Sequence, residues 1–131
     1  MLKIEKIYIN DKNFKTIKKK NSSYILIFSS NNCPHCKTVI EFFKKFVKAE
    51  GNKYQDVSIF IVESEKASTM LSNFNIRSFP TTFFVSEHQL SGAIIGAGSL
   101  EGFLRELKIF LKNKDKGLLF KIKELIKELD K

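Results

Sequence analysis

The sequence predicts an α/β fold, a mixed central sheet flanked by helices on both faces, with an extra C-terminal amphipathic helix. Three observations carry this. A continuous apolar run over 24–28 and a predominantly apolar one over 57–62, broken only by Ser58, have the pattern of strands buried on both faces. Segments of helical periodicity alternate with them, the order that builds parallel βαβ units. Two later strand patterns, separated only by a short polar turn, call for an antiparallel hairpin.

Each element has a local cause. Lys3, Glu5 and Tyr8 are interspersed with Leu2, Ile4, Ile7 and Ile9, which suits a short edge strand with one wet face. Asn10 and Asp11 are good N-cap residues, and Phe14 and Ile17 follow at helical spacing. Lys18 to Lys20 then sit at the favourable C-terminal end of the helix dipole. Tyr24 to Phe28 reads as the central strand. From Pro34, the residues Val39, Ile40, Phe42, Phe43, Phe46 and Val47 recur at intervals of three and four, and Gly51 stands where a C-cap belongs. That predicts a long helix over 34–50. Val57 to Val62 is the next strand, and Lys66 to Phe74 carries Met70, Leu71 and Phe74 on one helical face. Thr81 to Val85 and Ala93 to Ile95 form the hairpin, turning through Glu87, His88 and Gln89. A last core helix over about 99–113 has Leu100, Phe103, Leu104, Leu107, Phe110 and Leu111 in phase. The domain division is therefore 1–113, with 114–131 as a helical extension in which Leu118, Leu119, Ile122, Leu125, Ile126 and Leu129 form an apolar stripe opposite Lys121, Lys123, Glu124, Lys127 and Glu128.

Composition narrows the function. The chain has 131 residues, 43% hydrophobic and 28% charged, which describes one globular domain large enough to bury a core without a metal or disulfide framework. No apolar run approaches the roughly 20 residues of a membrane span. The first six residues alternate charge with aliphatics and lack the apolar centre of a signal peptide, so the expected location is cytoplasmic. The net charge of +9 could attract polyanions, yet only Arg77 and Arg105 among the 23 basic residues are Arg, the residue that bidentate phosphate and base recognition favours. No nucleic-acid partner is expected.

The chemistry concentrates at the only two cysteines, Cys33 and Cys36, in Cys33-Pro34-His35-Cys36 between the central strand and the long helix. A cysteine just before a helix faces unpaired N–H groups and the positive dipole end, which stabilise a thiolate. Cys33 is the expected nucleophile. A second cysteine one turn later can attack the mixed disulfide formed at the first, so the pair can exchange disulfides with a substrate. Pro34 in the first turn loses no needed hydrogen bond and stiffens the geometry. Three other readings stand beside this one. A structural zinc site would have only His35 and His88 to add to the two thiolates. A structural disulfide would close a very small loop and stabilise little. An inert buried thiol pair conflicts with a helix N-terminus, which is not an apolar burial site. No metal and no cofactor are expected.

On these residues the chain resembles the thioredoxin superfamily, over residues 2 to about 112. Asn73-Phe74-Asn75-Ile76-Arg77-Ser78-Phe79-Pro80-Thr81 is similar to the family's stretch leading into its cis-proline, and Ile95-Gly96-Ala97 looks like its groove loop. Phe103-Leu104 looks like its closing helix. The resemblance implies that the loop at Phe79 and Pro80 faces the nucleophilic sulfur and pairs with the substrate backbone, with Ile95 and Gly96 completing the binding surface.

The departures from thioredoxin proper are informative. Asn32 stands where the family usually has Trp, and Pro34-His35 replaces Gly-Pro. Cys-Pro-His-Cys resembles the active site of bacterial disulfide oxidases, whereas glutaredoxins carry an aromatic residue at the position of His35. Only about six residues separate the long helix from the next strand, too few for the oxidases' inserted helical domain. Thioredoxins bury an acid where this chain has Ile27, and their partner lysine is replaced by an apolar residue near Ile61. That leaves the proton acceptor for Cys36 open, with His35 the next candidate, either as a thiolate-stabilising neighbour or as an exposed bystander.

The expectation is a thiol–disulfide oxidoreductase with Cys33, Cys36, His35 and Pro34 at its catalytic centre. Its partners would be protein substrates bearing thiols or disulfides and a reductase or oxidant that recharges the pair. Alternatives are a glutaredoxin-like enzyme acting on glutathione mixed disulfides and a non-enzymatic binding module on the same scaffold.

Overall fold

Apolar runs without polar alternation can be satisfied only between two layers, and the sheet supplies that environment. In a computed structural model of the chain, which describes residues 2–4, 8–53, 57–99 and 101–112, the elements run β1 (Leu2–Ile4), α1 (Phe14–Lys20), β2 (Tyr24–Ser29), α2 (Pro34–Glu50), β3 (Val57–Glu63), α3 (Ser68–Asn73), β4 (Thr81–Ser86) and β5 (Gln89–Ile95). A further helix, α4, covers 101–112. The five strands are ordered β1-β3-β2-β4-β5. β3 pairs in parallel with β1 and β2, and β4 pairs antiparallel with β2 and β5. The mixed sheet expected from the sequence is thus present, with β2 at its centre and β1 at an edge.

The strands sort their side chains between two cores. Ile25, Ile27, Val57, Ile59 and Phe84 pack against Val39, Phe43 and Phe46 of α2 and Phe103, Leu107, Phe110 and Leu111 of α4. On the other face Tyr24, Leu26, Phe28, Phe60, Val62, Phe83 and Val85 meet Met70 of α3, with Phe14 and Ile17 of α1 at the margin. Every residue from Tyr24 to Phe28 is at most 2% exposed, which is why no polar position interrupts that run. Aromatic rings fill much of both layers. Phe28, Phe74 and Phe83 form a triangle with centroids 5.4–5.5 Å apart, and Phe84 lies 5.3 Å from Phe110 across the α4 interface. Burying one such ring contributes about 1.5–3 kcal/mol.

Several details differ from the sequence expectation, each for a tertiary reason. β1 is described only over Leu2–Ile4, and Ile9 forms an isolated parallel bridge to Val62 of β3. The N-cap of α1 is Asn13, whose side chain does not cap the helix. Asn10 instead accepts from the amides of Lys12 and Asn13 through Oδ1, closing the preceding turn. Asp11 caps a different helix: its two carboxylate oxygens accept from the N–H groups of Thr69 and Met70, each at 2.9 Å. The N-cap of α3 is Ala67, which has no side-chain acceptor of its own. Gly51 ends α2 in a right-handed conformation and runs on into a 3-10 turn over Gly51–Lys53. α3 is shorter than expected because Ser64–Lys66 forms a 3-10 turn ahead of it. β5 begins at Gln89, so the hairpin turn narrows to Glu87 and His88, with φ of 51° and 64°. Positive φ at both central residues is the turn geometry whose twist suits a hairpin. The stripe over 117–131, the boundary at 113/114 and the position of Leu100 all lie outside the described residues.

Candidate active site at the Cys33–Cys36 pair

Strand register gathers the site at one end of the sheet. β2 ends at Ser29 and feeds the loop to Cys33, and the pairing of Phe28 with Thr81 sets Pro80 beside that same end. Thr81 pairs on its other side with Ile95, and the N–H of Gly96 donates to the carbonyl of Pro80 at 2.8 Å. Phe79, Pro80, Ile95 and Gly96 therefore lie together at the end of the sheet from which the Cys loop leaves, although they are distant in sequence. The Phe79–Pro80 peptide bond is cis. Pro80 is buried, and Thr81 Oγ1 donates to the carbonyl of Ser78 at 2.8 Å, bracing the turn ahead of the strand. Ile95 is 75% exposed, an apolar surface at the same end of the sheet as the Cys loop. Gly96 has φ of 80°, a left-handed conformation that an L side chain would strain although no atom blocks the space.

The loop carrying the cysteines is held from both ends. Asn32 turns the chain with φ of 57°, a conformation Asn tolerates better than most residues. The N–H of Asn31 donates to Glu65 Oε1 at 2.6 Å, and Ser64 Oγ donates to the carbonyl of Ser29 at 2.5 Å. The turn after β3 thus fixes the loop after β2. Sequence reasoning missed Ser64 and Glu65, because nothing local relates a serine and a glutamate to a loop more than thirty residues earlier (separations of 35 and 34).

Cys33 is the N-cap of α2 in an extended conformation, with Pro34 at the first helical position. Its sulfur accepts from the backbone N–H of Cys36 at 3.2 Å, so it takes up one of the orphan donors at the helix start. The two cysteines are disulfide-bonded with their Cα atoms 5.2 Å apart, within the range that a disulfide spans without backbone movement. They are unequal in access: Cys33 is partly exposed and Cys36 is 1% exposed. His35 and Pro34 are exposed.

The two apolar replacements also come together. Ile27 and Ile61 are direct partners in the β2–β3 ladder, 1% and 8% exposed. The position of the family's buried acid and that of its lysine are therefore one contiguous hydrocarbon contact. His88 sits in the β4–β5 turn, at the far end of β4 from Pro80, where its N–H donates to Ser22. A zinc site drawing on both His35 and His88 does not fit this placement. Among the described residues, no group of three or more His, Cys, Asp or Glu side chains could hold a metal ion.

A sheet of this order with a bonded Cys-x-x-Cys pair capping its long helix is the architecture of a thiol–disulfide oxidoreductase. The thioredoxin family profile matches residues 5–109, and the chain belongs to that family. Thioredoxin H3 of Arabidopsis thaliana is 28% identical over 88 residues, covering 65% of this chain and 71% of that protein. A thioredoxin H-type of Brassica campestris is 24% identical over 87 residues, covering 66% and 68%. Among solved structures, thioredoxin from Trypanosoma brucei brucei superposes with a TM-score of 0.65 at 17% identity, covering 81% of this chain and 92% of that one. Oxidised mitochondrial thioredoxin 3 of Saccharomyces cerevisiae gives 0.63 at 22% identity, covering 76% and 89%. At these identities the structural likenesses bear on the fold alone. Among the described residues no helix is long and apolar enough to cross a membrane.

Proposed function

We propose that the chain passes two electrons between Cys33 and Cys36 and the cysteines of protein substrates, with Cys33 attacking and Cys36 resolving. The observation that carries the assignment is the unequal setting of the two sulfurs. Cys33 caps the helix and is partly exposed, whereas Cys36 is buried behind it. In reduction, the Cys33 thiolate attacks a substrate disulfide and expels one substrate thiolate. Cys36, once deprotonated, attacks Cys33 Sγ, closes the intramolecular disulfide and releases the second thiol. A reductase that supplies two electrons resets the pair; in the opposite direction an oxidant does so. Backbone groups around Phe79, Pro80, Ile95 and Gly96 are the docking edge for the substrate chain. A reducing, cytoplasmic setting belongs to this reading, as does 114–131 as an extension outside the redox domain.

The finer proposal concerns poise. His35 beside the helix N-terminus favours the Cys33 thiolate, and the hydrocarbon pair Ile27–Ile61 leaves no buried negative charge to oppose it. Both effects stabilise the reduced form and make the disulfide a stronger oxidant, in the direction of the oxidases that share Cys-Pro-His-Cys. We expect a reduction potential well above the about −270 mV of thioredoxin. Equilibration with glutathione measures it, and a value at or below that figure overturns the proposal. In parallel, Cys36→Ser should trap mixed disulfides while Cys33→Ser should not. Trapping by Cys33→Ser alone reverses the roles.

A further inference from the structure

Resolution requires Cys36 as a thiolate, and the described sheet row level with Ile27 carries no charged side chain to receive its proton or balance it. Burial disfavours the charged form of a thiol, and Cys36 is 1% exposed. On its own helix the titratable neighbours His35 and Lys37 are exposed. The packed face of α4 presents Phe103 and Leu107. The sheet row level with Ile27 runs Ile61, Ile27, Thr82, Ile94 as successive ladder partners. Three of these four side chains are hydrocarbon. The fourth, Thr82, is 0% exposed, and its Oγ1 is the one buried side-chain oxygen or nitrogen among the described residues that finds no hydrogen-bond partner in the protein.

An orphan hydroxyl in a core is unfavourable, and valine would fill the same volume without the penalty. Its position gives it a use. Thr82 lies two residues beyond Pro80 and directly across from Ile27, and Ile27 shares its cluster with Val39, one turn along α2 from Cys36. We propose that the Thr82 hydroxyl is a positioning residue for resolution. It donates a hydrogen bond, relayed by one buried water, that stabilises the Cys36 thiolate. The proton of Cys36 leaves to solvent. The thiolate then attacks Cys33 Sγ, the bond from Cys33 to the substrate sulfur breaks, and the departing thiolate takes a proton from water. No electrons beyond those of the exchange are needed.

This inference rests on Cys36 being the resolving thiol, and the experiment separates the two. In a Cys33→Ser background, thiolate ultraviolet absorbance gives the Cys36 titration directly. Thr82→Val should move that titration upward by at least about one pH unit, since a hydrogen bond to the charged form is lost, and Thr82→Ser should leave it in place. In the two-cysteine protein, Thr82→Val should slow release of the mixed disulfide at neutral pH by about tenfold, while attack by Cys33, read in a Cys36→Ser background, is unchanged. The melting temperature of Thr82→Val should be equal to or above that of the parent, which removes misfolding as an explanation. An unshifted Cys36 titration with unchanged release refutes the role of Thr82. A parent protein that never resolves its mixed disulfide refutes the assignment of Cys36 instead.

Discussion

Placing a carboxyl at Ile27 tests whether this sheet row is as free of charge as its composition implies. Ile27 is 1% exposed, with Ile61 and Thr82 as its ladder neighbours. Replacing it removes apolar burial worth about 1.5–3 kcal/mol at any pH. Aspartate adds a second, pH-dependent term. An uncharged surrounding should raise its folded pKa by about three units or more from about 3.9. Because the folded state then holds the proton more tightly than the unfolded state, stability falls as pH rises from the unfolded pKa through the folded one. At about 1.36 kcal/mol per unit, the penalty is roughly 1.5 kcal/mol at pH 5 and roughly 4 kcal/mol at pH 7. Together the two terms approach the whole stability of an ordinary domain at neutral pH, about 5–15 kcal/mol, but not at pH 5. Urea unfolding of Ile27→Asp and Ile27→Asn at both pH values reads the difference. The Asn variant shares the lost burial and does not titrate. The expected outcome is that Asp loses about 2–3 kcal/mol more than Asn between pH 5 and pH 7. An Asp variant whose stability tracks that of Asn across this range would mean that a charged group compensates the carboxylate, and the row would not be free of charge as its composition implies.

Three further outcomes follow from the same structure. Asp11 is held below its ordinary carboxylate value of 3.8, first by the Thr69 N–H and also by that of Met70, so its contribution to stability is present above that value and disappears as pH falls through the lowered one; Asp11→Ala should lower the melting temperature at neutral pH and flatten the acid limb, and an unchanged acid limb would count against the cap. Ile95→Glu, at a site 75% exposed, should change stability by no more than about 0.5 kcal/mol. It should also slow reduction of a protein disulfide several-fold while leaving reaction with a small disulfide unchanged; equal rates on the protein disulfide would remove Ile95 from the docking edge. Truncation after Asn113 should lower the melting temperature or change the mass in solution, because the aliphatic stripe over 118–129 needs a cover, while the Cys33–Cys36 couple keeps its potential; a truncated protein unchanged in both would show that the stripe serves an external partner.

The site was legible where its chemistry is local. Cys33 and Cys36 are one helical turn apart, and the cap, the proline and the strand before them lie within ten residues, so spacing and local context predicted a disulfide-exchanging pair at a helix start. Pro80 and Gly96 were reached through resemblance. Their direct contact, the Gly96 N–H donating to the Pro80 carbonyl, could not be read from either segment. Glu65 and Ser64 escaped notice for the same reason, since each acts on a loop belonging to another βα unit.

By itself the sequence determined what depends on short-range periodicity. It set where the two central strands lie, that β2 and β3 are buried on both faces, where α2 begins and ends, and that a cysteine sits at its N-terminus. Side-chain period and capping chemistry act within a few residues, so they survive in a one-dimensional reading. Only the tertiary structure decided the pairings across the sheet. It set β3 between β1 and β2, and it recruited Asp11 from another segment to cap α3. It also aligned Ile61, Ile27, Thr82 and Ile94 in one row, leaving a single hydroxyl in hydrocarbon on the face that packs against α2 and α4. Register is fixed by the packing of whole faces, and no window of neighbouring residues carries that information.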